Sequence, residues 1–114
     1  MRLIGKLQVR AILMTKHQIE TYSANLAAFC RKWKVSELSL FGSVLRQDFR
    51  PDSDIDILVA FAPEASVSLF DLTRMQEELS TILGRSVDLV DVRGLRNPFR
   101  RREILATREV VYAS

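Results

Sequence analysis

Phe41-Gly42-Ser43, ten further residues, and then Asp54-Ile55-Asp56-Ile57-Leu58-Val59-Ala60-Phe61 mark out a strand, a turn and a second strand. Apolar residues Leu38, Leu40 and Phe41 lead into the Gly-Ser turn, and the polar connector carries Arg50, Pro51, Asp52 and Ser53 before the second apolar run begins. That succession predicts strand, turn with a short helix over 44–49, then strand. Side chains alternate faces along a strand, so Asp54 and Asp56 project from the same side. Two carboxylates brought together in so apolar a run are costly unless a cation neutralises them, and a hard divalent ion such as Mg²⁺ takes oxygen ligands. Gly42 allows close backbone approach to a ligand, and Ser43 is placed to cap the short helix, whose N-terminus favours a phosphate. The stretch therefore reads as two halves of one phosphate and metal site. With each of the four fixed residues at roughly 5–7% usage, the pattern arises by chance on the order of once in a hundred thousand start positions.

Working outward, residues 15–34 read as a long amphipathic helix. Thr15-Lys16-His17-Gln18 has the form of a capping box, and Ile19, Tyr22, Leu26, Phe29, Cys30 and Trp33 recur at helical spacing. His17 reads as a solvated first-turn residue, Cys30 and Trp33 as core. Residues 1–14 are apolar but interrupted by Arg2, Lys6 and Arg10, which break any signal-peptide core. They are expected to be an N-terminal extension, either a start assigned too far upstream or a partner-binding arm, with residues 15–114 forming the one domain.

On the other side, Ser68-Leu69-Phe70-Asp71 predicts a second capping box, followed by a helix whose Leu69, Leu72, Met75, Leu79 and Ile82 share a face until Gly84 stops it. Glu77 and Glu78 read as its solvated side. A strand over 86–92 carries Asp88 and Asp91 on opposite faces, so only one of them can join Asp54 and Asp56. Asn97-Pro98 starts a last helix, and Val110-Val111-Tyr112 reads as a short closing strand. Arg93, Arg96, Arg100, Arg101 and Arg102 cluster near Phe99 alone, without the aromatic interleaving of a single-strand nucleic-acid binder. A solvated basic face is the simpler reading.

At 114 residues the chain holds one domain, too small for a catalytic module plus a separate recognition domain. A net charge of +3 gives no argument for nucleic acid, one cysteine excludes an internal disulfide, and no apolar run reaches membrane-spanning length. A cytoplasmic protein is the expectation, with self-association or a bound partner to cover apolar surface.

The run Gly42-Ser43-Val44-Leu45-Arg46-Gln47-Asp48-Phe49-Arg50-Pro51-Asp52-Ser53-Asp54-Ile55-Asp56-Ile57-Leu58-Val59, with Gly84-Arg85-Ser86-Val87-Asp88-Leu89-Val90 after it, resembles the minimal nucleotidyltransferases of the polymerase-beta-like superfamily, including the antitoxins paired with HEPN ribonuclease toxins. The resemblance runs from about Thr15 to the C-terminus and departs from the family at Leu45, where a small residue is usual, and at Gln47, where Gly is common. It implies an α/β (α+β) nucleotidyltransferase fold, a mixed sheet with helices packed mainly on one face. It selects Asp88 as the third carboxylate, so that Asp54, Asp56 and Asp88 are the catalytic and metal-binding residues, with two Mg²⁺ ions. Gly42, Ser43, Arg46 and Ser53 become the nucleotide-binding residues, Arg46 as a triphosphate contact and Ser53 chiefly through the turn before Asp54. The implied activity is transfer of AMP from ATP to a hydroxyl, a tyrosine by expectation, on a partner HEPN toxin. Two alternatives stand beside it: an antitoxin that neutralises by binding alone, and a small-molecule nucleotidyltransferase.

Overall fold

The structure, a computed structural model, describes residues 23–42 and 53–114. The expectations for residues 1–14, His17, Ile19, Tyr22, Ser43, Arg46 and the short helix over 44–49 lie outside the described residues.

Helix α1 (Ser23–Trp33) buries Leu26, Phe29 and Cys30 on one stripe. Lys34, with φ 57, makes the left-handed turn that reverses the chain directly into β1 (Val35–Phe41). Strand β2 (Ile55–Phe61) follows the connector, and α2 (Leu69–Leu83) leads from β2 to β3 (Val87–Asp91). A single 3-10 turn (Val92–Gly94) precedes α3 (Pro98–Thr107), and β4 (Glu109–Ala113) ends the fold. The capping signals at Ser68, Gly84 and Asn97 act where the sequence puts them, while the box over residues 15–18 lies outside the described residues. Ser68 Oγ accepts from Asp71 N at 3.1 Å while Asp71 Oδ2 accepts from Ser68 N at 3.0 Å. Gly84 closes α2 at φ 66, a conformation a Cβ would strain, and Asn97 Oδ1 accepts from the amides of Phe99 and Arg100 at the start of α3.

The four strands lie in the order β3-β2-β1-β4. β1 is antiparallel to both β2 and β4, and β2 is parallel to β3, so the sheet is mixed. On one face Leu38, Leu40, Ile55, Ile57, Val59, Val87 and Leu89 pack with Leu26, Phe29 and Cys30 of α1 and Met75, Leu79 and Leu83 of α2. Burying β-branched and aliphatic side chains between a sheet and two helices is the main drive to this arrangement. Phe41, Leu58, Leu95 and Ile104 form a smaller cluster with Val90 and Leu105, which seats α3 on the opposite face. Helices thus cover mainly one face, and the face under α3 is the one that carries the polar positions Glu37, Ser39, Asp56 and Asp88.

Three expectations are refined. Leu69 is 82% exposed and lies off the buried stripe, because it is the first residue after the cap, a turn ahead of the stretch that reaches the sheet. Trp33 is only half-buried and donates its indole N–H to Glu78 Oε2 at 3.1 Å. Glu78 also meets Lys32 Nζ at 3.2 Å, so it links α1 to α2 rather than standing solvated. Among the described residues no helix is long and apolar enough to cross a membrane.

Candidate active site

Strand register assembles the site. Phe41, the last residue of β1, pairs with Asp56 on β2, and Asp56 pairs with Asp88 on β3. In a parallel pair, residues opposite one another direct their side chains to the same face, so Asp56 and Asp88 stand side by side on adjacent strands. Asp91, three residues further on, is on the other face; its carboxylate caps the 3-10 turn through Arg93 N at 2.9 Å and pairs with the Arg93 guanidinium at 2.8 Å. That bond, rather than burial, raises the Arg93 pKa. Asp91 is therefore occupied structurally and turned away from Asp56.

Gly42 follows β1 with φ 69, and its Cα hydrogen faces Asp56. A Cβ built there would overlap Asp56 Oδ2 and come to 3.3 Å of Asp56 Cγ. The glycine is needed twice over, for the left-handed backbone and for the carboxylate that fills the space a side chain would occupy. Asp54 is exposed one residue before β2, Asp56 is half-buried, and Asp88 is exposed on the edge strand β3.

The segment before the pair is held from β3's side. Ile55 N donates to Ser86 O at 2.9 Å, and Arg85 Nη2 donates to the Ser53 carbonyl at 3.1 Å. The outer edge of β3 is held by α2: Ser80 Oγ accepts from Val87 N at 3.1 Å, and Gln76 Oε1 accepts from Leu89 N at 2.9 Å. None of Gln76, Ser80 and Arg85 stands out in the sequence. Their one signal is that Gln76 and Ser80, one turn apart, immediately follow the buried Met75 and Leu79, where a polar side chain flanks the stripe that faces the sheet.

Of the sequence-predicted residues, the structure brings Gly42, Asp56 and Asp88 together across three adjacent strands, with Asp54 and Ser53 at the mouth of β2. Among the described residues no three His, Cys, Asp or Glu side chains are gathered into a ready cage for an ion. Mg²⁺ is commonly held by one or two carboxylates completed by substrate phosphates and water rather than by such a cage. An all-oxygen donor set on one face, with the glycine leaving room for Asp56, fits that mode.

Comparison with known proteins shows the family and the fold. The nucleotidyltransferase domain model matches residues 24–111. The protein adenylyltransferase MntA of Thermococcus cleftensis is 35% identical over 101 residues, spanning 88% of this chain and 97% of that protein. A solved minimal nucleotidyltransferase superposes with a TM-score of 0.60 at 36% identity, over 82% of this chain and 94% of that one. A toxin–antitoxin complex with AMP-PNP contains a chain that superposes at a TM-score of 0.62 with 23% identity, over 78% of this chain and 71% of that one. A complex of tri-AMPylated Shewanella oneidensis HEPN toxin with MNT antitoxin gives a TM-score of 0.59 at 21% identity, over 83% and 72%. At these last identities the likeness is one of fold. Taken with the Gly42–Asp56–Asp88 register, the family-model match over most of the domain leads to one conclusion: this chain belongs to the nucleotidyltransferase domain family, as a minimal nucleotidyltransferase enzyme.

Proposed function

We propose that this enzyme transfers AMP from ATP to a hydroxyl, a tyrosine side chain by expectation, on a HEPN-type toxin, and acts in the cell's cytoplasm as that toxin's antitoxin. The observation that carries the reading is the register that sets Asp88 beside Asp56 over Gly42. It is supported by the relative named as a protein adenylyltransferase and by the solved complex whose toxin carries three AMP groups. A neighbouring complex with AMP-PNP supports ATP as the donor.

In such a transfer the acceptor oxygen bonds to the α-phosphorus as the bond from that phosphorus to the bridging oxygen breaks, and pyrophosphate leaves. Asp54 and Asp56 would hold two Mg²⁺ ions, with Asp88 the further ligand of the one on the acceptor side. Bound there, the ions would neutralise phosphate charge and stabilise the entering and leaving oxygens. Asp88 is exposed on β3, where a large protein acceptor can reach it, and would help to take the proton from the acceptor hydroxyl. Gly42 would bring backbone close to the β- and γ-phosphates, joined by Ser43 and Arg46. Nothing in the scheme requires a nucleophile from this chain, and most of the rate would come from positioning and charge neutralisation.

The test is intact-mass analysis of the partner toxin incubated with this chain, ATP and Mg²⁺, beside an Asp54→Ala, Asp56→Ala variant. Additions of AMP that vanish with the variant support the reading. A tight complex with no added mass would replace it with neutralisation by binding alone.

A further inference from the structure

We propose that Gln76 and Ser80 of α2 are positioning residues that hold Asp88 in register with Asp56. The inference rests on the nucleotidyl-transfer reading above. Among the described residues β3 is the outermost strand and pairs with β2 alone, on its inner side. Along a strand, the N–H and C=O of successive residues point alternately to either neighbour. Ser86 O bonds inward to Ile55 N, so Asp88 also points its backbone inward, while Val87 and Leu89 point outward. An edge strand with unpaired outward amides is free to shift or to recruit another chain.

Here the two outward amides that flank Asp88 are taken up by side chains of one helix. Leu89 N donates to Gln76 Oε1 at 2.9 Å and Val87 N to Ser80 Oγ at 3.1 Å. Ser80 donates its own proton to the Gln76 carbonyl at 2.9 Å, which leaves the hydroxyl oxygen turned to Val87 as an acceptor. Met75 and Leu79, the residues just before Gln76 and Ser80, are 0% exposed and pack the helix against the sheet. Asp88 is therefore the residue between two fixed points, pinned on both sides by a helix that is itself immobilised in the core. A carboxylate on an edge strand would otherwise have the loosest backbone of the three, yet the reading gives it the acceptor-side metal. Hydrogen bonds made directly to a metal ligand typically change metal affinity by about 10–100-fold, and bonds to the backbone on either side of the ligand are expected at the lower end of that range.

The experiment uses the full chain and its Gln76→Met, Ser80→Ala and double variants, with Ser80→Thr as the form that keeps the hydroxyl. Binding of Mg²⁺ with α,β-methylene-ATP, whose bond at the α-phosphorus to the leaving group cannot be broken, is titrated by calorimetry, thermal melting is recorded, and amide hydrogen exchange is followed at Val87 and Leu89. The double variant should exchange faster at both amides and bind the Mg²⁺–analogue about tenfold more weakly, with each single variant in between and Ser80→Thr close to the parent. A double variant, or either single variant should the double not fold, that exchanges faster yet binds with parental affinity overturns the positioning role. So does a Ser80→Thr variant as impaired as Ser80→Ala. A parent chain showing no Mg²⁺-dependent binding of the analogue overturns the nucleotide reading itself, and this inference with it.

Discussion

Replacing Gly42 by alanine separates folding from function at the site. Two effects act on this one methyl group. The residue sits at φ 69, where an L side chain is strained, which costs about 1 kcal/mol and lowers the melting temperature by roughly 4 °C at this chain length. The methyl also overlaps Asp56 Oδ2, but that atom is the end of a side chain that can rotate, and Cγ remains at 3.3 Å. The overlap is therefore relieved by turning the carboxylate aside and adds little to the loss of stability. The cost falls on the chemistry instead. Displacing a carboxylate by about an ångström from its productive position is enough to slow a positioned reaction about a hundredfold. The assay is single-turnover transfer of AMP to the partner, read by intact mass, beside a melting curve of the same sample. An alanine variant that melts a few degrees lower yet transfers within threefold of the parent rate would refute the reasoning, since Asp56 would then not need the place that Gly42 leaves for it.

Ser68→Ala removes the acceptor for Asp71 N and should lower stability by about 1 kcal/mol in chemical denaturation, with transfer unchanged because the cap lies at the far end of α2 from Gly84. Asp71's carboxyl is held below its ordinary value chiefly by the Ser68 backbone N–H, so its contribution to stability is present above the usual carboxylate range and fades as pH falls; Asp71→Asn should flatten that acid limb of a stability–pH profile. Burial pushes the Cys30 thiol from 9.0 up to about 12, so its contribution is fully present below pH 9 and is lost as pH rises from there toward 12. Iodoacetamide should accordingly leave Cys30 unmodified in the native protein at pH 8 and label it in denaturant, as checked by intact mass. Leu79→Ala, at a position with no exposure, should destabilise the fold by about 2–5 kcal/mol in denaturant unfolding; a loss under 1 kcal/mol would mean the α2–sheet contact is not close-packed.

Local chemistry is what the sequence determined on its own. The alternation along Ile55, Asp56, Ile57, Leu58 and Val59 is enough to turn Ile55, Ile57 and Val59 to one face of β2 and Asp56 and Leu58 to the other, because face is decided by a two-residue period within a single segment. Ser68 with Asp71, Gly84, and Asn97 with Pro98 set the ends of α2 and α3 for the same reason: a cap is a bond between residues three or four apart. Long-range choices were decided only in the tertiary structure. Period two could place Asp88 and Asp91 on opposite faces but not say which face meets Asp56; the parallel pairing of β3 with β2, bringing together positions 32 residues apart in Asp56 and Asp88, makes that choice. The same holds for β4 beside β1, for α3 against the face opposite α1 and α2, and for the bonds from Gln76 and Ser80 to the edge of β3. Such contacts are selected by which apolar faces can be buried together and which outward amides then need partners, and neither is encoded in any one stretch of chain.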